Sequence, residues 1–210
     1  MNKFFSSWLY SPPFLLLVIL GVMALVTLSG PAEKVLGANV RIVYLHGAWV
    51  WAALATFLAA AGCGLAGLAL RREALHTWSR ALGRTGLLFW ISYLPISMWA
   101  MQTSWNGLYL AEPRWRLALI FAISGFLLQI GLTLLGNLAW TSVANVLFIV
   151  TLFLALANIE NVMHPASPIY NSEAIRIQLF FSSLVLLCIL AAWQVARWWR
   201  RASLPVNSAG

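Results

Sequence analysis

The sequence predicts an all-α integral membrane protein, a bundle of about six transmembrane helices with short loops. Three observations carry this. The 210-residue chain is 62% hydrophobic and only 9% charged, and its mean hydropathy is +0.85. A domain of that size cannot hide so much apolar surface unless lipid is part of its solvent. A helix crossing the hydrocarbon core needs about 20 mostly apolar residues, and six stretches of roughly that kind follow one another with no Lys, Arg, Asp or Glu in their interiors.

The first stretch, 13–29, follows Lys3 and has the outline of a signal peptide. No small-x-small cleavage site follows it and five more stretches do, so it reads as an uncleaved anchor. The second, 42–70, is long enough to tilt or to project beyond the bilayer. The third and fourth are 85–103 and 117–136. A short uncharged link, 137–140, leads to the fifth, 141–158. The sixth, 174–196, runs into a basic cytoplasmic tail, 197–210. The whole chain, 1–210, reads as one polytopic membrane domain.

The 13 Lys and Arg exceed the 5 acidic residues and give a formal charge of +8. In a soluble protein that excess suggests nucleic acid; here the cations lie between apolar runs and orient the chain, and no nucleic-acid partner is expected. With the N-terminus inside, Lys3, Arg71, Arg72, Arg80, Arg84, Arg197, Arg200 and Arg201 are cytoplasmic, and Lys34, Arg41, Arg114, Arg116 and Arg176 are outside. That bias puts both termini in the cytoplasm.

The outer segments then hold most of the candidate chemistry. His46 stands near the start of the second stretch, in Arg41-Ile-Val-Tyr-Leu-His46-Gly-Ala-Trp49, and His164 in the last outer loop, in Glu160-Asn-Val-Met-His164-Pro. Between them lies an aromatic loop with Trp105, Tyr109 and Trp115. Imidazole is a standard axial ligand of haem iron, aromatic rings cover a porphyrin face, and arginine pairs with carboxylates in bidentate geometry. On a helix Trp49 is three residues from His46, and Gly47 lets a bulky ring approach the backbone. Pro165 and Pro168 stiffen the loop around His164.

Each feature also has a plainer reading. Trp8, Trp78, Trp140, Trp193, Trp198 and Trp199 fit an interfacial belt, lone histidines at helix ends are commonly polar anchors, and arginines there snorkel to headgroups. His76, in the basic inner segment, fits an anchor better than a ligand.

The order of these features is more specific than any one of them, and it resembles the haem-handling family of cytochrome c maturation, particularly its haem exporter protein C-like branch. That family carries a tryptophan-rich external motif, Trp-Gly-x-x-Trp-x-Trp-Asp-x-Arg (the WWD motif), between two external histidines. Here Trp105-Asn-Gly-Leu-Tyr109-Leu-Ala-Glu112-Pro113-Arg114 falls on it. Trp105 and Arg114 match, Tyr109 keeps an aromatic position, Glu112 replaces the aspartate, and Leu108 and Ala111 lie where tryptophans are expected. Loss of those rings removes stacking area, about 1 kcal/mol or more per aromatic contact. The resemblance spans roughly residues 41–201. It implies haem as the cofactor, His46 and His164 as axial ligands, and Trp105, Tyr109 and Trp49 over the ring. Arg114 and Arg41 would face the propionates, with Glu112 steadying Arg114 or meeting the ligand's polar edge. The implied function is haem binding and presentation at the outer face of a bacterial or archaeal inner membrane. The partners would be lipid, haem and cytochrome c maturation proteins such as a haem chaperone or transporter subunits.

Absences narrow the field. Cys63 and Cys188 both fall inside predicted spans with no Cys-x-x-Cys pair, so thiol exchange and covalent haem attachment are not expected. No Gly-x-x-x-x-Gly-Lys phosphate loop occurs, and there is no aspartate, which leaves little from which to build an ATPase, a hydrolase or a proton pump. Two alternatives stay open: a haem-b-binding membrane anchor of a respiratory complex, and a small-molecule transporter. The former usually places its histidines within facing spans; the latter would show intramembrane charges or inverted halves. Gln129, Asn145 and Gln178, the main polar groups in the spans, read as helix-to-helix hydrogen bonds.

Overall fold

The computed structural model describes residues 11–163, 169–170 and 173–202. Those residues form six helices: α1 (Pro12–Leu28), α2 (Val40–Leu70), α3 (Glu73–Trp105), α4 (Pro113–Leu135), α5 (Leu138–Ala157) and α6 (Ile175–Ala202). The all-helical expectation holds among them. Four helices, α2, α4, α5 and α6, are long and apolar enough to cross a membrane. The 17 residues of α1 are apolar but fewer, and α3 is long but amphipathic, with three arginines or histidines in its first half, His76, Arg80 and Arg84.

The helix ends follow local chemistry. Pro13 and Pro113 sit in first turns, where a missing N–H costs nothing. Glu112 caps α4 by accepting the Trp115 amide at 2.6 Å, and Asn137 caps α5 through the Trp140 amide at 3.1 Å. Gly136 ends α4 in the left-handed conformation with φ +66°, which glycine adopts without strain.

One boundary differs substantially from expectation. The third span was expected at 85–103, after an inner loop; instead α3 begins at Glu73, and the turn from α2 is only Arg71 and Arg72. Counting apolar residues measures hydrocarbon thickness, not helix length. The added turns are amphipathic: Ser79 and Leu82 are buried, while Glu73 and Ala74 face outward. At 33 residues, α3 is about 50 Å long, well beyond a hydrocarbon core of about 30 Å. Similarly, α6 continues to Ala202, so 197–202 belong to a helix; 203–210 lie outside the described residues.

Successive helices run antiparallel. Against α2, α3 passes from Gly67 over His76, through Gly86 over Phe57, to Ser92 beneath Trp49. In the middle of the bundle, close approach requires small residues. A Cβ on Gly86 would lie 2.7 Å from Phe57, and one on Gly83 2.6 Å from the Asn145 amide oxygen. Asn145 Nδ2 donates to the Ser79 carbonyl at 2.9 Å and to Ser79 Oγ at 3.0 Å, and its Oδ1 accepts from Gln129 at 3.5 Å. These bonds tie α5 to α3 and α4, the role expected of Asn145 and Gln129. Gln178 instead donates to the Tyr170 carbonyl just before α6. Cys63 and Cys188 form no disulfide; Cys188 is buried with its Sγ 3.3 Å from Met23 Sδ.

The antiparallel order gives the bundle two unlike ends. One gathers 30–41, 105–116, 169–170 and 173–181; the other gathers 67–84, 133–142 and 193–202.

Candidate functional site

The first of these ends contains a cavity of about 490 Å³, in the size range of small-molecule and cofactor pockets. Three helices supply most of its wall, each by a regular stripe. From α2 come Val43, His46, Gly47, Val50, Trp51 and Leu54; from α3 come Trp90, Tyr93, Ser97, Ala100, Met101, Ser104 and Trp105. Both stripes recur every three or four residues, the spacing of one helix face. Glu112, Arg114 and Ala118 close it from the start of α4, with Tyr170 and Phe181 on the α6 side. Pro95 lies within α3 beside this stripe and withholds one backbone N–H from the helix ladder.

Four predicted site residues therefore meet on one cavity: His46, Trp105, Glu112 and Arg114. The His46 ring lies 5.0 Å from that of Tyr93. Glu112 is 3% exposed; its Oε2 is held by the helix cap, whereas Oε1 finds no hydrogen-bond partner among the described residues, and neither does the buried Ser104 Oγ. Two polar atoms at the same cavity are thus left for a ligand or water to satisfy.

Other predicted residues are placed elsewhere. Trp49 stacks on Phe89 at 4.5 Å and donates to Ser92 Oγ at 2.9 Å. Its ring fills the seam between α2 and α3, because a step of three residues from His46 turns it toward that neighbour. Arg41 Nε donates to the Gly30 carbonyl at 2.9 Å and fastens the loop after α1, where Glu33 accepts the Val35 and Leu36 amides at 2.8 and 3.0 Å. Those amides, Leu36 foremost, hold the Glu33 carboxyl below its ordinary pKa. Tyr109 is 44% exposed, its ring edge-on to Trp105 at 5.6 Å, and it is not among the residues that line the cavity. Gly47 admits a bulky ring, as expected, but that ring is Phe181, whose edge a Cβ would meet at 3.1 Å. His164 lies outside the described residues.

Trp51, Tyr93, Trp90 and Tyr170, which no sequence motif singles out, supply most of the remaining aromatic wall. Extending the His46 face by helical spacing reaches Val50 and Leu54 and flanks Trp51; the same spacing back from Trp105 reaches Met101, Ser97, Tyr93 and Trp90. His76 lies at the end remote from the cavity, its Nδ1 2.7 Å from Ser142 Oγ and its ring over Gly67. No group of three or more His, Cys, Asp or Glu side chains able to hold a metal ion occurs among the described residues. A haem iron needs only one or two such ligands.

No protein-family model, curated protein or solved structure matches the chain.

Proposed function

We propose that this chain is a membrane-embedded haem-handling protein. Its cavity would receive haem at the outer face and present it to a partner during c-type cytochrome maturation. The single observation that carries the reading is the convergence of His46, Trp105, Glu112 and Arg114, from three helices, on one cavity. The family resemblance names these four among its eight site residues from the sequence alone.

In this reading all six helices cross a bacterial or archaeal inner membrane. The α3 crossing is completed by aromatic residues such as Trp90, Tyr93 and Trp99, which hydropathy scales score as weakly polar, and the 17 apolar residues of α1 are at the short end of a spanning length. The seven described arginines at the end remote from the cavity, Arg71, Arg72, Arg80, Arg84, Arg197, Arg200 and Arg201, favour that end as cytoplasmic. The cavity then opens at the opposite face, with both termini inside.

The residues present suit haem as a cargo. His46 offers an imidazole nitrogen to iron, Trp105, Trp51 and Tyr93 offer aromatic faces and edges, and Arg114 offers a guanidinium to a propionate. Glu112 is anchored by its cap at the start of α4, two residues before Arg114, and fixes the turn that carries that arginine. His164 would supply the second axial ligand from the segment between α5 and α6. Partners would be maturation proteins that take the haem, since both histidine bonds to iron would have to give way to groups on a recipient.

The test is the absorption spectrum of the full-length protein purified from haem-replete cells. The parent should show a Soret band that H46A abolishes and that H164A shifts or abolishes. A parent without the band after hemin titration contradicts the proposal. A b-type spectrum surviving both substitutions favours a respiratory anchor with ligands elsewhere.

A further inference from the structure

The end opposite the cavity carries a second constructed feature. Arg84 of α3 lies over the Trp199 ring of α6 at 5.6 Å, and Arg200 of α6 lies over the Trp78 ring of α3 at 4.4 Å. The two helices thus exchange guanidinium–indole pairs reciprocally. Between them Trp78 stacks on Trp193 at 4.9 Å, with planes only 10° apart. A guanidinium held over an indole ring is attracted to the ring face and keeps its N–H donors for other partners. Arg84 spends one donor on Thr133 Oγ1 at 2.9 Å. The Nε of Arg200 is buried and has no hydrogen-bond partner among the described residues.

Charge at this end is unbalanced. Arg71, Arg72, Arg80, Arg84, Arg197, Arg200 and Arg201 gather here, and the carboxylate present among the described residues is Glu73, exposed on the first turn of α3. Two immobilised forks without an anion match the tetrahedral oxygens of a phosphodiester. Beside them Trp198 and Trp199 remain 53% and 37% exposed and stack on each other, the amphipathic surface that settles among headgroups rather than in bulk water.

We infer that Arg84 and Arg200 form a binding site for the phosphate of an anionic phospholipid at the face opposite the cavity. This rests on the placement of the bundle in a membrane and not on what the cavity holds. Paired basic side chains between helix ends suit such a headgroup, and the indoles flank its glycerol and acyl region.

The full-length chain, reconstituted with mixed phosphatidylglycerol and phosphatidylcholine and re-extracted, would be examined by native mass spectrometry. Phosphatidylglycerol should be retained in preference to phosphatidylcholine. R84Q/R200Q should lose that preference, by about fivefold for each guanidinium removed. R71Q/R72Q, an equal change of charge in the exposed turn, should keep it. Should the double variant fail to fold, R200K serves: it keeps the charge but loses the fork, and retention should still fall. Equal retention in R84Q/R200Q, equal loss in R71Q/R72Q, or displacement of the lipid by excess inorganic phosphate would each overturn the assignment; the last would mean a soluble phosphate site. Haem absorbance measured on the same samples should not change between the parent and R84Q/R200Q, so failure of the haem reading and failure of this one are distinguishable.

Discussion

The two halves of the bundle treat their interiors in opposite ways. In the half that holds His46 the helices leave about 490 Å³ open and line it with aromatic, imidazole, carboxyl and guanidinium groups. In the other half, the void beside Asn145, Gly83 and Phe148 is about 10 Å³, hardly one water. Polar side chains in its interior are largely spent on one another, Asn145 on Ser79, His76 on Ser142 and Arg84 on Thr133, with Arg200 Nε left over among the described residues near the end of α6. Glu112 Oε1 and Ser104 Oγ at the cavity are not spent in this way. A buried polar group without a partner is costly to folding, so its persistence beside an open volume is the feature on which the proposed binding role rests. The bonds of the closed half tie the helices to one another.

Substitutions in each half should separate these roles. The largest effect is expected from filling the cavity without touching His46. Ala100 lines it and is buried, so A100F should weaken hemin binding by about tenfold or more through steric exclusion. The helical circular dichroism should be retained. Binding by A100F equal to the parent would mean that ligand sits elsewhere.

In the closed half, G83A drives a Cβ to 2.6 Å from Asn145 Oδ1 and 2.8 Å from its Nδ2. Overpacking of this kind costs about 1–3 kcal/mol, read as a lower unfolding temperature in detergent with hemin affinity preserved in the fraction that folds. N145A removes the donor to Ser79 and leaves the buried Ser79 hydroxyl short of a partner, at about 1–3 kcal/mol. The same assay should show a fall no greater than that of G83A. If either variant lost hemin affinity while keeping its stability, the division of labour between the halves would be wrong.

The smallest effect concerns the loop after α1. Because the Leu36 and Val35 amides lower the Glu33 pKa, the carboxylate stabilises the loop fully above its unfolded pKa. That contribution is lost as pH falls through the lower folded value. Proteolysis within 30–39 should therefore rise on acidification in the parent, and E33Q should be cut faster at neutral pH with little further change in acid.

Much of this was legible in the sequence. Run lengths located all six helices in order, and their alternation placed His46, Trp105, Glu112 and Arg114 at one end. Periodicity in an apolar chain is a weak guide to facing, because lipid-facing and core-facing positions are equally hydrophobic. This is why Trp49 rather than Trp51 was expected at the cavity, although helical spacing from His46 leads to Val50 and Leu54 on Trp51's face. Arg41 read as a ligand group because its acceptor, the Gly30 carbonyl, is a backbone atom that no side-chain pattern announces. The early start of α3 was hidden because Arg80 and Arg84 interrupt an apolar count without interrupting a helix. Glu112 was seen as part of a motif, but its cap on Trp115 depends on where α4 begins.

The most direct measurement sets one histidine from each half against the other: hemin titration of H46A and H76A, followed by absorbance, with thermal unfolding of both. H46A should lose the Soret band and keep its stability. H76A should keep the band and unfold at lower temperature, because the bond to Ser142 and the cover over Gly67 are gone. Loss of the band in H76A together with its retention in H46A would contradict the assignment of the cavity as the binding half.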